Sequence, residues 1–443
     1  MGPPDATQLL THFRSPEHRA GGLVGRAREL ADLTGALDAA ATGDGRLVLL
    51  AGEPGIGKTR LADALTGAAR ERGFRVAWGR CWEAGGAPPH WPWVQVLRSL
   101  TEGLEGDALA AALGPHAAGV LALAPELGDR LTGPPEQVAS GGDGDGARFA
   151  AWDATASFLG AAAAAAPLMI VLDDVHTADR PSLLFLRFLA RTLHDRRLLI
   201  VATLREAESS AHGELFDELA RDGGRLPLRG LGDDEVARLA AAHAGRRPPA
   251  AFARELRRVT DGNPFFVVET VRLRVAEAPA DPFALPVALP AHALAAVRRR
   301  LDPLPAGARD LLAVAAVAGR EFDAAVVGSL ASVVPDEVAA VLDAATLAGL
   351  VERWAGGHRF AHALVRDALY DSLAPSRRAA LHEALAVALE KDGADSAHIA
   401  HHYSAAGSPR AAGHARAAGD DAAARLAYED AALHYEHALE GAL

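Results

Sequence analysis

Residues 46–60 read RLVLLAGEPGIGKTR: an apolar run, a glycine-rich octet, then a pattern in which Leu61, Ala62, Leu65 and Ala69 recur at helical spacing. The octet Gly52-Glu53-Pro54-Gly55-Ile56-Gly57-Lys58-Thr59 fits G-x-x-x-x-G-K-[ST] in full, with Arg60 directly after it. Glycines at these offsets let backbone N–H groups turn inward around phosphate oxygens, and the start of the following helix adds positive potential. Lys58 is expected to reach the terminal phosphates of a nucleoside triphosphate and the Thr59 hydroxyl to coordinate Mg²⁺. The chain has two lysines, Lys58 and Lys391, and uses arginine elsewhere, so a lysine kept here fits a site shaped for a compact ammonium.

Working outward, LMIVLD at 168–173 reads as a buried strand that ends in Asp173 and Asp174. A carboxylate at the carboxyl edge of the sheet is where phosphates lie, so Asp173 is expected to hold Mg²⁺ and Asp174 to orient or deprotonate the attacking water. LLIVAT at 198–203 is a further strand, followed by Arg205, which either offers its donor fork to a γ-phosphate beside Thr203 or is a solvated strand-end residue. FRVAW at 74–78 and LPL at 226–228 complete a mostly parallel five-stranded sheet between helices such as 181–192, the expectation for an α/β P-loop NTPase.

The 443 residues carry a net charge of −12 and a single cysteine, Cys81. An acidic balance argues against direct nucleic-acid binding or an anionic membrane surface, and one cysteine requires no oxidising compartment. The longest apolar stretch, 160–171, falls short of the roughly 20 residues of a membrane span, so a cytoplasmic location is expected.

The expected organisation is a flexible arm at 1–21, the NTPase domain at 22–229, a helical lid at 230–281, a winged-helix-like domain at 282–375 and a helical, TPR-like start at 376–443. Within these, 84–147 reads as a Gly/Pro-rich variable lobe. Asp233 or Asp234 is the expected cap of the first lid helix, and 251–260 forms the next. Pro282, Pro286 and Pro290 mark a linker before helices at 292–301, 308–317 and 335–347. LVERW and HRF then read as a hairpin turning at 355–357. His398, His401 and His402 sit at helical spacing, open to a metal or to a solvated helix surface, and Trp91 and Trp93 to a ligand or to packing.

Taken in order, LVGRARELADL, GEPGIGKT, LMIVLDDVHTAD, VATLRE, TDGNPFFVVE and HRFAHALVRDALYDSL resemble the signal-transducing ATPases with numerous domains (STAND), above all the ATPase part of bacterial large LuxR-type transcriptional regulators. That resemblance implies Val24 and Arg26 beside the adenine, Pro264 of Gly262-Asn263-Pro264 against the base, and His362 on the β-phosphate of ADP, with Arg366 one turn away. It implies an ATP-binding, slowly hydrolysing switch closed by ADP. An unknown inducer or regulatory protein would act at the C-terminal helices, with nucleotide-dependent homo-oligomers and an effector module beyond Leu443 or on another chain. An AAA-type motor or loader is the alternative, and a P-loop phosphotransferase a third.

Overall fold

The computed structural model describes residues 23–82, 86–132, 144–205, 212–285, 287, 301, 304–305, 307–354, 357–361 and 363–441. The arm at 1–21, Pro286 and Pro290, most of the helix expected at 292–301, residues 355–356 and His362 lie outside that set.

β1 (Arg46–Ala51), β2 (Arg75–Arg80), β3 (Leu168–Asp173), β4 (Leu198–Leu204) and β5 (Gly224–Pro227) form one sheet in the order β2-β3-β4-β1-β5, every pairing parallel. β3 and β4 are buried at every residue, whereas β2 and β5 at the edges are partly exposed, which is why the former read as unbroken apolar runs. Successive β3 residues face opposite sides. Met169 and Val171 join Leu33 and Leu37 of α1 (Ala27–Ala41) and Leu61 and Leu65 of α2 (Lys58–Glu71). Leu168, Ile170 and Leu172 share the other core with Phe185 and Leu186 of α7 (Arg180–Ala190) and Leu219 of α8 (Gly213–Asp222).

The segment between β2 and β3 is a helical lobe. It folds as α3 (Trp91–Leu100), α4 (Gly106–Leu113), α5 (Ala117–Leu123) and α6 (Asp145–Ala165), with Leu97, Leu113, Val120 and Leu159 in the same core as the sheet. Trp93 is buried there, its indole N–H donating to Ser182 O at 3.1 Å, so it packs rather than meets a ligand. Among the described residues, Gly106–Leu123 has the length and apolar composition of a span, as does the pair Ala324–Ala331 and Pro335–Leu347 taken together, but the first is broken into short helices whose leucines line this core and the second is bent by 115°.

α9 (Asp233–Ala244), α10 (Ala250–Thr260) and α11 (Pro264–Glu277) form a small helical unit around Val236, Phe252, Leu256 and Val271. Its first helix is capped differently from expectation: Gly232 is the N-cap, its N–H donating to the Glu235 carboxylate at 2.8 Å, and Asp233 and Asp234 sit inside the first turn beside the positive helix end.

Next come α12 (Ala308–Ala318), β6 (Glu321–Phe322), α13 (Ala324–Ala331), α14 (Pro335–Leu347), β7 (Val351–Trp354), β8 (Gly357–Phe360) and α15 (Ala363–Asp371). β7 and β8 pair antiparallel as the expected hairpin, β6 adds to β8, and Leu311, Leu312, Leu342, Phe360 and Val365 fill the core of this hairpin unit. Finally α16 (Pro375–Lys391), α17 (Ser396–Ala406), α18 (Ala411–Ala424) and α19 (Tyr428–Glu440) each pack on the next through small side chains such as Ala386, Ala415 and Ala422. The last packs beside α7 of the α/β unit, and both Glu429 carboxylate oxygens accept from Arg148 of α6, at 2.9 and 3.0 Å.

Candidate nucleotide site

Because β4 runs between β1 and β3, the carboxyl ends of those three strands stand side by side, with Leu50 registered against Thr203 and Leu172 against Ala202. The loop leaving β1 needs its glycines at defined points. Gly55 and Gly57 have φ of +77° and +101°, a region L side chains rarely adopt. A Cβ on Gly57 would meet nothing within 4 Å, so that side of the loop is an open cradle at the N-terminus of α2.

Three side chains hold the loop backbone, two of them from outside it. Arg26, 5% exposed, donates to Ile56 O at 3.0 Å and pairs with Glu29 at 2.9 Å. Lys58 Nζ donates to Gly52 O at 2.9 Å and to Glu53 O at 3.0 Å, spanning the mouth of the loop. From the small helical unit, Asn263 caps α11 by accepting from Phe265 N, and its side-chain amide donates to Pro54 O at 3.0 Å. Phe265 presses so closely on Gly55 that a Cβ there would lie 2.7 Å from Phe265 Cβ. Asn263 and Phe265 are therefore the residues that touch the loop, with Pro264 opening the helix between them. Val24 packs with the same small unit, against which Gly25 is also tight, and Arg60 is exposed on α2.

On the facing wall, Asp173 Oδ1 accepts from Thr59 Oγ1 at 3.0 Å and from Thr203 Oγ1 at 2.7 Å. Thr203 in turn accepts from the Asp174 N–H at 2.7 Å, so one fully buried hydroxyl fixes both aspartates. Asp174 is in the left-handed region, φ 58°, tolerated by aspartate but unusual enough to mark a site held by its surroundings. Its Oδ2 accepts from Arg320 of the hairpin unit at 2.9 Å, and His176 Nδ1 lies 3.9 Å from its Oδ1. Burial, with Arg205 and Lys58 nearby, pushes the His176 imidazole down to about 3, so it is neutral at ordinary pH. Arg205 itself is buried, 7% exposed, not a solvated loop residue. At the end of β2, registered with Asp173, Arg80 is brought down to about 10 by burial. Cys81 is partly buried beside the acidic wall; desolvation, with the carboxylates of Asp179, Asp174 and Asp173 nearby, pushes its thiol up, the mark of an inert sulfur.

These residues suit a magnesium nucleotide. The cradle, the helix terminus and Lys58 match a polyphosphate, and the Thr59 hydroxyl and Asp173 carboxylate are hard oxygen donors already within hydrogen-bond distance of each other.

Residues 22–201 match the AAA ATPase domain family. The chain carries an AAA-type ATPase domain. An uncharacterized protein of Rhizobium meliloti (strain 1021) is 28% identical over 456 aligned positions, covering 95% of this chain and 43% of the relative, so the chain spans less than half of that protein's length. Among solved structures, a signal transduction ATPase with numerous domains bearing a tetratricopeptide repeat sensor, from Pyrococcus horikoshii, superposes with a TM-score of 0.56 at 16% identity, over 95% of this chain and 59% of its own. It shares the fold. A Walker-type ATPase of Pyrococcus abyssi, 14% identical over 82% of this chain and 99% of its own, gives a TM-score of 0.34, too low to carry an argument.

The loop and both aspartates named from the sequence are brought together in the structure. Sequence reasoning placed Thr203 only as a phosphate sensor, missed His176 and Arg80, and had no signal for Arg320, whose partner is 146 positions away. Asn263 was legible in principle, since Asn before Pro at a helix start is a capping signature. Among the described residues no group of three or more His, Cys, Asp or Glu side chains is placed to hold a metal ion. His398, His401 and His402 are not a solvated face either: His402 is fully buried and links His382, at 2.8 Å, to His398, at 3.2 Å, while Tyr370 meets His382 at 2.9 Å.

Proposed function

We propose that this chain is a nucleotide-operated regulatory switch of the STAND kind, whose slow ATP hydrolysis resets a change in the arrangement of its units. The observation that supports it most is convergence on one site. Asn263 and Phe265 from the small helical unit and Arg320 from the hairpin unit all reach residues that surround the phosphate cradle. A nucleotide that changes charge at the cradle then has differential affinity for arrangements of those units, which is what a switch requires.

In this reading Lys58 and Arg205 bind the terminal phosphates, Thr59 and Asp173 hold Mg²⁺, and Asp174 accepts a proton from the attacking water as the γ-phosphate is cleaved. Mg²⁺ supplies neutralisation of charge on the phosphate oxygens. Val24 and Pro264 face the base, with Arg26 supporting the loop behind it, and His362 contacts the β-phosphate of ADP. The lid is the small helical unit, the hairpin unit is a winged-helix domain, and α16 to α19 begin a TPR-like sensor that receives an inducer or regulatory protein. The output is transcriptional or a comparable effector, as in the large LuxR-type regulators, on a longer form or a separate chain, with ATP favouring homo-oligomers.

An AAA-type motor or loader rests on the same domain match. Turnover decides between them. The switch predicts ADP copurifying with the chain and hydrolysis slow enough to follow as a single turnover. Fast constitutive hydrolysis with no change of assembly on exchanging ADP for ATP would mean a motor.

A further inference from the structure

We propose that Arg320 is a positioning residue that holds the Asp174 carboxylate away from reaction, so that hydrolysis proceeds only when the hairpin unit lifts off the acidic wall. The inference rests on the nucleotide-site reading above and adds a residue and a cause for slow turnover.

The geometry is fixed at both ends. Arg320 stands between α12 and β6, where its carbonyl accepts from Phe360 N at 2.9 Å and so ties the residue to β8. At the other end the Asp174 backbone is held by Thr203 Oγ1 on its N–H and by the Thr177 hydroxyl on its carbonyl at 2.9 Å, which fixes the point from which the carboxylate projects. Between them runs the 2.9 Å ion pair, with the guanidinium 23% and the carboxylate 10% exposed, where solvent screens it only in part. A carboxylate oxygen that accepts from a guanidinium has that lone pair occupied, so it is a poorer acceptor for a proton from water.

Two further features make the pair releasable. The hairpin unit and the α/β unit have separate sheets, so they can part without unpairing a strand. The contact also brings like and unlike charges together. Beside the Arg320–Asp174 pair, Arg359 and Arg320 oppose the charge on Arg80 at the end of β2, while Glu321 and Asp173 favour it. A change of charge at the cradle therefore acts directly on this contact.

The test uses the full chain with Arg320→Ala and Arg320→Lys. Single-turnover hydrolysis of bound Mg-ATP is followed beside the ATP dissociation constant. The distance between dyes on Glu71→Cys and Glu337→Cys, in a Cys81→Ser background, is read without nucleotide. The expected result is hydrolysis about tenfold faster in Arg320→Ala, a barrier lowered by about 1.4 kcal/mol, with smaller change in ATP affinity and a longer distance between dyes. Arg320→Lys, which keeps charge but loses the fork, should fall between. Should Arg320→Ala fail to fold, Arg320→Lys decides: a rate above wild type supports the proposal, and a rate at or below it overturns it. An unchanged rate and distance in Arg320→Ala would overturn this inference alone, and slower hydrolysis would place Arg320 on the transferring phosphate instead. A wild-type chain that binds no Mg-ATP would remove the site reading and this inference with it.

Discussion

The two walls of the cradle are built on opposite plans. The loop wall is one run of eight residues, and the groups that brace it from outside, Arg26 and Asn263, donate to its backbone carbonyls. The acidic wall is assembled from Thr59, Asp173, Asp174 and Thr203, and the groups that brace it act on side-chain carboxylates. Braces on carbonyls fix shape and are indifferent to what charge is bound. Braces on carboxylates compete directly with a bound cation or a reacting water. The loop wall should therefore govern how tightly nucleotide binds, and the acidic wall how fast it reacts and which arrangement it favours.

The largest effect is expected on the loop wall. Mg-ATP at a hundred times its dissociation constant should stabilise the fold by about 2.7 kcal/mol. Lys58→Ala should abolish that rise in melting temperature and weaken ATP binding, measured by calorimetry, by about a hundredfold or more. Affinity that survives the change would mean the cradle is not where phosphate binds, and the contrast between the walls would lose its basis.

On the acidic wall, Thr203→Val keeps the shape but removes the hydroxyl that donates to Asp173 and accepts from the Asp174 N–H. Two buried polar groups lose a partner, and destabilisation of about 1–3 kcal/mol should follow in chemical denaturation. Thr203→Ser should restore most of it. Loss of stability without serine rescue would point to packing by the methyl group rather than to the hydroxyl.

How much of this was legible follows the same division. Eight consecutive residues with a strand before and a helix after can be read from local order, and so could β3, β4 and the hairpin, since burial on both faces or a short reversing loop leaves a local trace. The acidic wall depends on strand order. Nothing in LLIVAT says that β4 lies between β1 and β3, yet that is what brings Thr203 onto the same Asp173 oxygen that Thr59 reaches. The helices of the insert were not legible because Gly and Pro between them masked leucines that serve a core shared with distant strands. His398, His401 and His402 were misjudged because spacing on one helix does not reveal His382 across from it on another.

Acidity offers a probe confined to the acidic wall. His176 is neutral when folded, its value near 3 lying below the ordinary 6.5 because burial penalises the imidazolium. A depressed folded value means stability present above about 6.5 and lost as pH falls toward the folded value. His176→Gln should therefore flatten the stability profile between pH 6.5 and 5.5 by up to about 1.4 kcal/mol relative to wild type, the worth of one pH unit for one proton. An identical profile in both proteins would mean His176 meets water in the folded state.

The smallest expected effect returns to the loop wall and separates its shape from its chemistry. Asn263 has two tasks: its side-chain oxygen caps α11 by accepting from Phe265 N, and its amide donates to Pro54 O in the loop. Asn263→Ala removes both and should cost about 1 kcal/mol, the usual worth of an N-cap. Asn263→Asp keeps the cap and adds favourable charge at the helix start, but it cannot donate to Pro54. If the small helical unit braces the loop through that amide, Asn263→Asp should keep wild-type stability while binding ATP and ADP more weakly than wild type by similar factors. If it changed the hydrolysis rate of bound ATP instead, the loop wall would share the task assigned to the acidic wall, and the division between affinity and rate would fail.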